Sequence, residues 1–145
     1  MRAVIQVVSS ASVKVEGSII GQINKGYLVL LAIHATDSGD MIVKMADKIA
    51  DLRIFPDEND KMNLSLKDVG GEILLISQFT LYGDTKKGNR PSFIDSARPD
   101  KAIPMYEKII DLLKEKELKV EAGRFGAKMS VSLINEGPTT IIIDL

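Results

Sequence analysis

Three hydrogen-bonding side chains close an apolar run near the middle of the sequence. Glu72–Phe79 has the sequence EILLISQF and Thr80 follows it, so Ser77, Gln78 and Thr80 gather where a buried strand is expected to end. Polar groups in that position either bond to the local backbone or face a pocket, because an unpaired buried polar group is costly. A rigid strand with an open tip also suits binding or catalysis. The residues themselves leave both interpretations open.

A second candidate is the segment Asn135–Thr139, with the sequence NEGPT. Taken alone it predicts a plain turn between two strands, since glycine and proline favour turns. A cis bond between Gly137 and Pro138 would be a deliberate structural feature, but the sequence does not reveal the isomer.

A third candidate is the polar loop from Lys86 to Phe93, which combines three cations with a glycine and an aromatic ring. That composition suits phosphate contacts and base stacking, and it equally suits a solvated loop. Charge density does not decide between the two.

The usual signatures of hydrolytic enzymes are missing. A single histidine and no cysteine exclude Cys–His catalysis and a histidine-cluster metal site. No G-x-S-x-G motif accompanies His34, which we interpret as a structural or solvated residue. No glycine-rich phosphate loop is present, which argues against a nucleotide cofactor. We therefore expect neither a metal nor a cofactor.

Length and composition predict one domain that covers residues 1–145. The net charge of −1 argues against a protein that coats nucleic acid, although it permits a local basic patch. No apolar run reaches membrane-spanning length, and the first residues alternate like a strand rather than like a signal peptide. Without export signal or cysteine, a cytoplasmic location and no membrane partner are expected.

The elements that must position these candidates begin with a meander of strands. Alternating residues predict strands at Ala3–Val8 and Val13–Val15. Gly17–Ser18 then supplies a two-residue turn into Ile19–Ile23, which predicts a hairpin. Gly26–His34 is the third, apolar strand.

Two amphipathic helices and further strands follow. Apolar residues spaced by three and four mark the helices, and they are Ile42, Met45, Ala46, Ile49 and Leu52 in the first and Met105, Ile109, Leu112 and Leu113 in the second. Pro104 is expected in or before the first turn of the second helix. Met129–Leu133 and Thr139–Leu145 alternate as the last strands. The prediction is an α+β domain with two main helices, about seven strands and a mostly antiparallel, barrel-like sheet.

Four segments together resemble the D-aminoacyl-tRNA deacylase family, and the resemblance runs from end to end of the chain. They are VVSSASVKVEG at Val7–Gly17, SQFTLY at Ser77–Tyr82, GNRPSF at Gly88–Phe93 and GRFGAKMSVSLINEGPTT at Gly123–Thr140. A lone SQFT or Gly-Pro would be weak, whereas these segments in this order and in a chain of this length are highly specific.

The resemblance implies a barrel-like α+β domain that forms a tight homodimer with its active sites at the dimer interface. Ser77, Gln78, Phe79 and Thr80 would line the pocket for the aminoacyl-adenosine end of tRNA. The segment Gly137-Pro138 would adopt a cis bond and reach into the partner's pocket, where it excludes an L side chain. Achiral glycine would pass this filter, so glycyl-tRNA would also be cut.

The implied chemistry is hydrolysis of a D-aminoacyl ester. Thr80 supplies a hydroxyl, but no general base lies near it in the sequence, and an unassisted alcohol is a poor nucleophile. We therefore expect backbone N–H groups of Phe79 and Thr80 to hold the oxyanion, with help from the terminal ribose hydroxyl.

The resemblance also implies roles for residues that occupy matching positions in the family. Phe125 and Met129 would form the pocket wall, although their spacing equally suits the core, and Ala102 would form the pocket floor. We expect three cations of the polar loop to contact tRNA phosphates, namely Lys86, Lys87 and Arg90.

Two rival functions remain. One is a non-catalytic nucleic-acid-binding module, since related chains have been linked to DNA at replication origins; weak acidity and the lack of a recognition motif argue against it. The other is a structural dimer scaffold, which would have no pocket and no turnover.

Overall fold

Eight strands, two α-helices and one short 3₁₀ turn follow one another along the chain, and the computed structural model describes all residues 1–145. The elements are β1 (Arg2–Val15), β2 (Ser18–Ile23), β3 (Gly26–Ala32), α1 (Gly39–Asp51), β4 (Phe55–Pro56), β5 (Met62–Leu64), β6 (Glu72–Ser77), the 3₁₀ turn (Phe79–Tyr82), α2 (Pro99–Glu115), β7 (Lys119–Ala122) and β8 (Met129–Asp144).

Six strands form one mixed sheet in the order β2-β1-β3-β6-β7, and β8 pairs with the other edge of β1. β1 is antiparallel to β2, β3 and β8, whereas β3–β6 and β6–β7 are parallel. The prediction of a mostly antiparallel sheet joined by hairpins is therefore wrong. The chain leaves β3 and β6 through segments that contain α1 and α2, and such crossovers return the next strand parallel.

The sheet curls until its two ends nearly meet, which bears out the barrel-like shape. A Cβ added at Gly21 of β2 would lie 3.2 Å from the backbone oxygen of Ala122 in β7, although these strands stand at opposite ends of the order. One face of the sheet packs against both helices in a core of 25 buried residues. The concave face holds a second core of seven, which include Val8, Leu28 and Leu74.

Several boundaries differ from the sequence-based prediction. Ala3–Val8 and Val13–Val15 belong to one strand, and the following hairpin turns at Glu16 and Gly17, both with positive φ, rather than at Gly17–Ser18. Met129–Asp144 is likewise a single strand, because β1 pairs with it on both sides of the Gly-Pro segment. Long-range pairing overrides the local turn signals in that segment.

Pro104 lies inside α2 rather than in or before its first turn, so that prediction is wrong. Pro99 begins the helix at a position that proline favours. The buried apolar face of α2 begins at Ala102, whereas the sequence pattern began at Met105, so the helix starts earlier than predicted. Pro104 leaves the Asp100 carbonyl without its usual helical donor, and this oxygen lies near the solvated start of the helix. Neither helix is long and apolar enough to cross a membrane.

Candidate active site

A pocket of about 280 Å³ opens where β3 and β6 end. Because these strands are parallel, their carboxyl ends meet at the same edge of the sheet, which is where α/β proteins commonly bind ligands. Twelve of its fifteen lining residues are hydrophobic, and the lining comprises Leu31, Ala32, Ile33, Ile76, Ser77, Gln78, Phe79, Ala97, Ala102, Tyr106, Phe125, Gly126, Ala127, Met129 and Val131.

Six of the residues singled out in the sequence line this pocket together. They are Ser77, Gln78, Phe79, Ala102, Phe125 and Met129. Thr80 is the next residue along, exposed on the 3₁₀ turn and outside the lining. The other candidate residues are exposed and do not line the pocket of this chain. They are Lys86, Lys87, Arg90, Gly137 and Pro138.

The strand predicted to reach Phe79 ends at Ser77, and the chain then bends at Gln78 into the 3₁₀ turn. The Gln78 N–H donates to the Leu31 carbonyl at 2.8 Å, and the Ser96 hydroxyl donates to the Phe79 carbonyl at 2.9 Å. The first N–H groups of a helical turn have no acceptor within it. The N–H groups of Phe79 and Thr80 are the first two of the 3₁₀ turn, and they lie at the edge of the pocket.

Thr80 has no basic partner. Its hydroxyl oxygen accepts a hydrogen bond from the Gln78 side-chain amide, which is a donor and cannot take a proton. A threonine nucleophile needs a neighbouring base. The contact instead orders the Thr80 side chain beside the turn.

The pocket contains no group that could act as a general base near neutral pH. Tyr106 is its only titratable lining residue; its hydroxyl donates to the Leu75 carbonyl at 2.7 Å, and burial raises its pKa. His34 stands outside the lining, with its Nδ1 bonded to the Thr36 hydroxyl and its ring edge-on to Tyr82. No three or more His, Cys, Asp or Glu side chains gather as a metal ion would require.

An aromatic pair connects the pocket to the polar loop. The Phe79 and Phe93 rings meet edge to face with centroids 5.1 Å apart, and Phe79 remains 54% exposed. Asp84 and Ser92 close the base of the loop through paired backbone hydrogen bonds of 2.8 and 2.9 Å. None of the three loop cations forms an ion pair, so all three remain available to a ligand.

The Gly137-Pro138 segment projects from β8 as a wide bulge. Four residues, Glu136–Thr139, stand where the partner strand β1 has only Val7. The Asn135 side-chain amide fastens the base of the bulge, because it donates to the carbonyls of Val7 at 2.9 Å and Thr139 at 3.0 Å. Gly137 has φ +107°, and its peptide bond to Pro138 is cis. The segment is an exposed bulge within β8 and not the plain turn that the sequence alone predicts.

Sequence reasoning missed the residues that hold these parts in place. Ser96 fastens the 3₁₀ turn, Tyr106 ties α2 to β6, and Asn135 closes the bulge. Tyr106 continues the apolar stripe of α2, so its burial could have been predicted. Nothing in the local sequence shows which backbone oxygen each side chain would reach, because those oxygens lie on distant segments.

Comparison with known proteins places the chain among its relatives. The family model for D-Tyr-tRNA(Tyr) deacylase matches residues 4–144. The D-aminoacyl-tRNA deacylase of Thermosipho africanus is 55% identical over 99% of this chain and 97% of its own length. That of Bacillus velezensis is 55% identical over 99% of this chain and 98% of its own.

A solved structure described as a c-Myc DNA unwinding element binding protein has the same fold. It superposes with a TM-score of 0.93 at 39% identity and covers 100% of this chain and 99% of that one. The family model spans nearly the whole chain, relatives 55% identical cover 99% of it, and the chain belongs to the D-Tyr-tRNA(Tyr) deacylase family.

Proposed function

We propose that the protein hydrolyses the ester bond of D-aminoacyl-tRNA and releases tRNA and the free D-amino acid, in the cytoplasm. The relatives that share over half of its residues bear the name of this activity. The observation that carries the proposal is the apolar pocket at the tip of β6, which presents Ser77, Gln78 and Phe79 yet no base or metal cluster. A site of this kind suits an activated ester, which needs little more than positioning and charge stabilisation.

The proposed mechanism uses the backbone of the 3₁₀ turn. The terminal adenosine enters the pocket, and the ester carbonyl lies against the N–H groups of Phe79 and Thr80. These donors stabilise the negative charge that develops on the carbonyl oxygen when water attacks. The adjacent hydroxyl of the terminal ribose helps to position that water, because the pocket offers no side chain that could activate it.

The proposal requires a second copy of the chain. β8 pairs with β1 along one edge only, and it exposes Ile134 by 58% and Ile142 by 64%. A long, partly apolar edge strand left open is unusual in a monomer. A two-fold dimer uses the same patch on both chains, so each copy could offer its Gly-Pro bulge to the other's pocket.

In the dimer, the bulge acts as the chiral filter. Gly137 and Pro138 have no reactive side chain, so their contribution is shape and backbone carbonyl oxygens. The carbonyls would receive the substrate's α-ammonium group, and the backbone would occupy the space that an L side chain needs. Glycine has no side chain to exclude, and glycyl-tRNA is therefore a second expected substrate.

The polar loop is proposed to hold the tRNA backbone. Its three unpaired cations are exposed, and Phe93 of the same loop contacts Phe79 at the pocket. Cations that neutralise phosphates strengthen binding without reading sequence. They would orient the acceptor end while the pocket holds the terminal adenosine.

The direct test is to incubate the purified protein with D-tyrosyl-tRNA and L-tyrosyl-tRNA after treatment with a metal chelator. We expect rapid loss of the D ester, an L ester that decays at its spontaneous rate, and no effect of the chelator. Equal loss of both esters would overturn the chiral filter. Loss of activity on chelation that zinc or magnesium restores would overturn the metal-free mechanism.

A second candidate function is non-catalytic DNA binding, which the description of the 39% identical solved structure as a DNA unwinding element binding protein favours. The net charge of −1 offers little of the positive surface that such binding needs. DNA affinity that falls steeply with salt, in a protein without deacylase activity, would support this second function.

A further inference from the structure

Arg2 reaches from the first strand to the end of the 3₁₀ turn. Its Nη1 donates to the Leu81 carbonyl at 3.0 Å, and its guanidinium carbon lies 5.1 Å from the centre of the Tyr82 ring. Carbonyl groups at the end of a helical turn lack internal donors, so an outside donor there fixes the turn's last residues. A cation over an aromatic face adds a second attachment.

Asp144, directly across the strand pair in β8, holds the guanidinium in place. Arg2 Nε donates to Asp144 Oδ1 at 3.0 Å and Nη2 donates to Oδ2 at 2.9 Å. This two-point contact fixes the guanidinium plane as well as its position. The hydrogen bonds from Arg2 also lower the pKa of Asp144 below its ordinary value. The remaining Nη1 is thereby aimed at Leu81.

The turn is fastened at three places. The Leu31 carbonyl holds its start through Gln78, Ser96 holds Phe79, and Arg2 holds its end at Leu81. The Phe79 N–H lies between the first and second attachments, and the Thr80 N–H belongs to the same peptide group as the Phe79 carbonyl that Ser96 holds. Leu81 is joined to this peptide through Thr80, and its own N–H donates to the Gln78 carbonyl at 3.2 Å, so loss of the Arg2 contact would loosen the turn around the two N–H groups.

We infer that the Arg2–Asp144 pair is a positioning device that sets the direction of the Phe79 and Thr80 N–H groups toward the ester oxygen. This inference rests on the proposed function. It assigns a role in the reaction to two residues that stand outside the pocket lining and touch no substrate. Arginine is required because one guanidinium must serve the carboxylate and the carbonyl at once.

Such a pair contributes little to folding, which makes the inference testable. The side chains are 35% and 56% exposed, and exposed pairs have small effects on stability. Arg2→Met should therefore unfold at nearly the wild-type temperature. Its kcat on D-tyrosyl-tRNA should fall about tenfold while KM changes by less than about twofold, as expected for interactions made only in the transition state. Arg2→Lys should recover part of the lost kcat.

The matched control is Lys119→Met, which removes the ion pair between the exposed Lys119 and the half-buried Glu72 that joins β7 to β6 in the same sheet. It should leave kcat unchanged. Unchanged kcat in Arg2→Met, or an equal fall in Lys119→Met, would overturn the inference. If Arg2→Met fails to fold, Asp144→Asn keeps an acceptor for Arg2 without its charge, and a full wild-type kcat in that variant would also overturn it.

A second measurement separates this inference from the proposed function. Amide hydrogen exchange at Leu81 and Gly83, whose N–H groups donate to the Gln78 and Thr80 carbonyls at 3.2 and 2.9 Å, reports on the turn in the free protein. Followed by NMR, it should quicken in Arg2→Met and not in Lys119→Met. If the wild-type protein has no deacylase activity, the proposed function fails while this measurement still reports on the attachment. If the wild type is active and neither kcat nor exchange responds, the inference alone fails.

Discussion

The β6 tip and the Gly-Pro bulge are built in opposite ways. The tip borders a concave pocket whose walls come from β3, β6, α2 and the start of β8, and its turn is fastened from three sides. The bulge is convex and exposed, and its backbone departs from the β1 pairing. The pocket of the chain does not include the bulge in its lining, and the bulge is exposed instead of filling a cavity of its own chain. This contrast supports our proposal that each of the two completes a site in a second copy of the chain.

The largest effect is expected from a methyl group added to the bulge. Gly137 has φ +107°, and a Cβ there would lie 2.6 Å from the Thr139 hydroxyl oxygen. Gly137→Ala should therefore displace the filter and lower kcat/KM on D-tyrosyl-tRNA about 100-fold, since a shift of about 1 Å can cost that much. Gly17→Ala is the matched control, because Gly17 has φ +81° with nothing within 4 Å. If kcat/KM falls equally in both variants, the loss comes from backbone strain and not from the filter.

A smaller effect is expected from filling the pocket. Ala102 is 6% exposed and lines the cavity. Ala102→Leu should raise KM for D-tyrosyl-tRNA about tenfold, equivalent to about 1.4 kcal/mol of binding. Ala50→Leu is the control, because Ala50 is also 6% exposed, on α1, and lies outside the pocket lining. If KM stays at the wild-type value in folded Ala102→Leu, the substrate does not use this cavity.

The loop cations should affect tRNA affinity without altering chemistry. Replacement of Lys86, Lys87 and Arg90 by alanine should raise KM several-fold and reduce the salt slope of binding by about 2, as expected for three phosphate contacts on a single strand. Steady-state kinetics at several salt concentrations would measure both. A minimal D-aminoacyl-adenosine substrate should be cut at the wild-type rate. An equal loss with that substrate would place the cations in the reaction rather than in tRNA binding.

The smallest effect is expected at Thr80. Its hydroxyl contacts an amide donor and no base, so it is not activated as a nucleophile. Thr80→Ala should retain kcat within about threefold of wild type, because the backbone N–H remains. Single-turnover hydrolysis of D-tyrosyl-tRNA would measure this. Complete loss of turnover in a folded Thr80→Ala protein would instead support a threonine nucleophile.

Local patterns predicted the α+β class, the two helices and most strands, but not how the strands are joined. The spacing of Met45, Ala46 and Ile49 identifies α1 because one helical face is buried. The apolar β3 and β6 have the same pattern whether their neighbours are parallel or antiparallel, so the mixed sheet was missed. Likewise, the turn signal at Gly137-Pro138 could not reveal that β1 pairs on both sides of it.

Some residues of the candidate site could likewise be predicted from local patterns, whereas others could not. Polar residues at the end of an apolar run, Ser77 and Gln78, could be singled out from the sequence, and they line the pocket. Ala102, Phe125 and Met129 were placed there by resemblance, since small and apolar residues carry no local signal of a cavity. Arg2 and Ser96 gave no signal, because their function depends on carbonyl groups far away in the sequence.

The central claim is that the pocket of one chain uses the Gly-Pro bulge of another, and a mixed dimer tests it most directly. Ala102→Leu and Gly137→Ala chains with different tags would be co-expressed, and the heterodimer purified and assayed below KM for D-tyrosyl-tRNA. In that dimer one site combines an intact pocket with an intact bulge, so the account predicts about half of the wild-type activity per dimer. Activity no higher than the mean of the two mutant homodimers, or failure to recover any heterodimer, would contradict it.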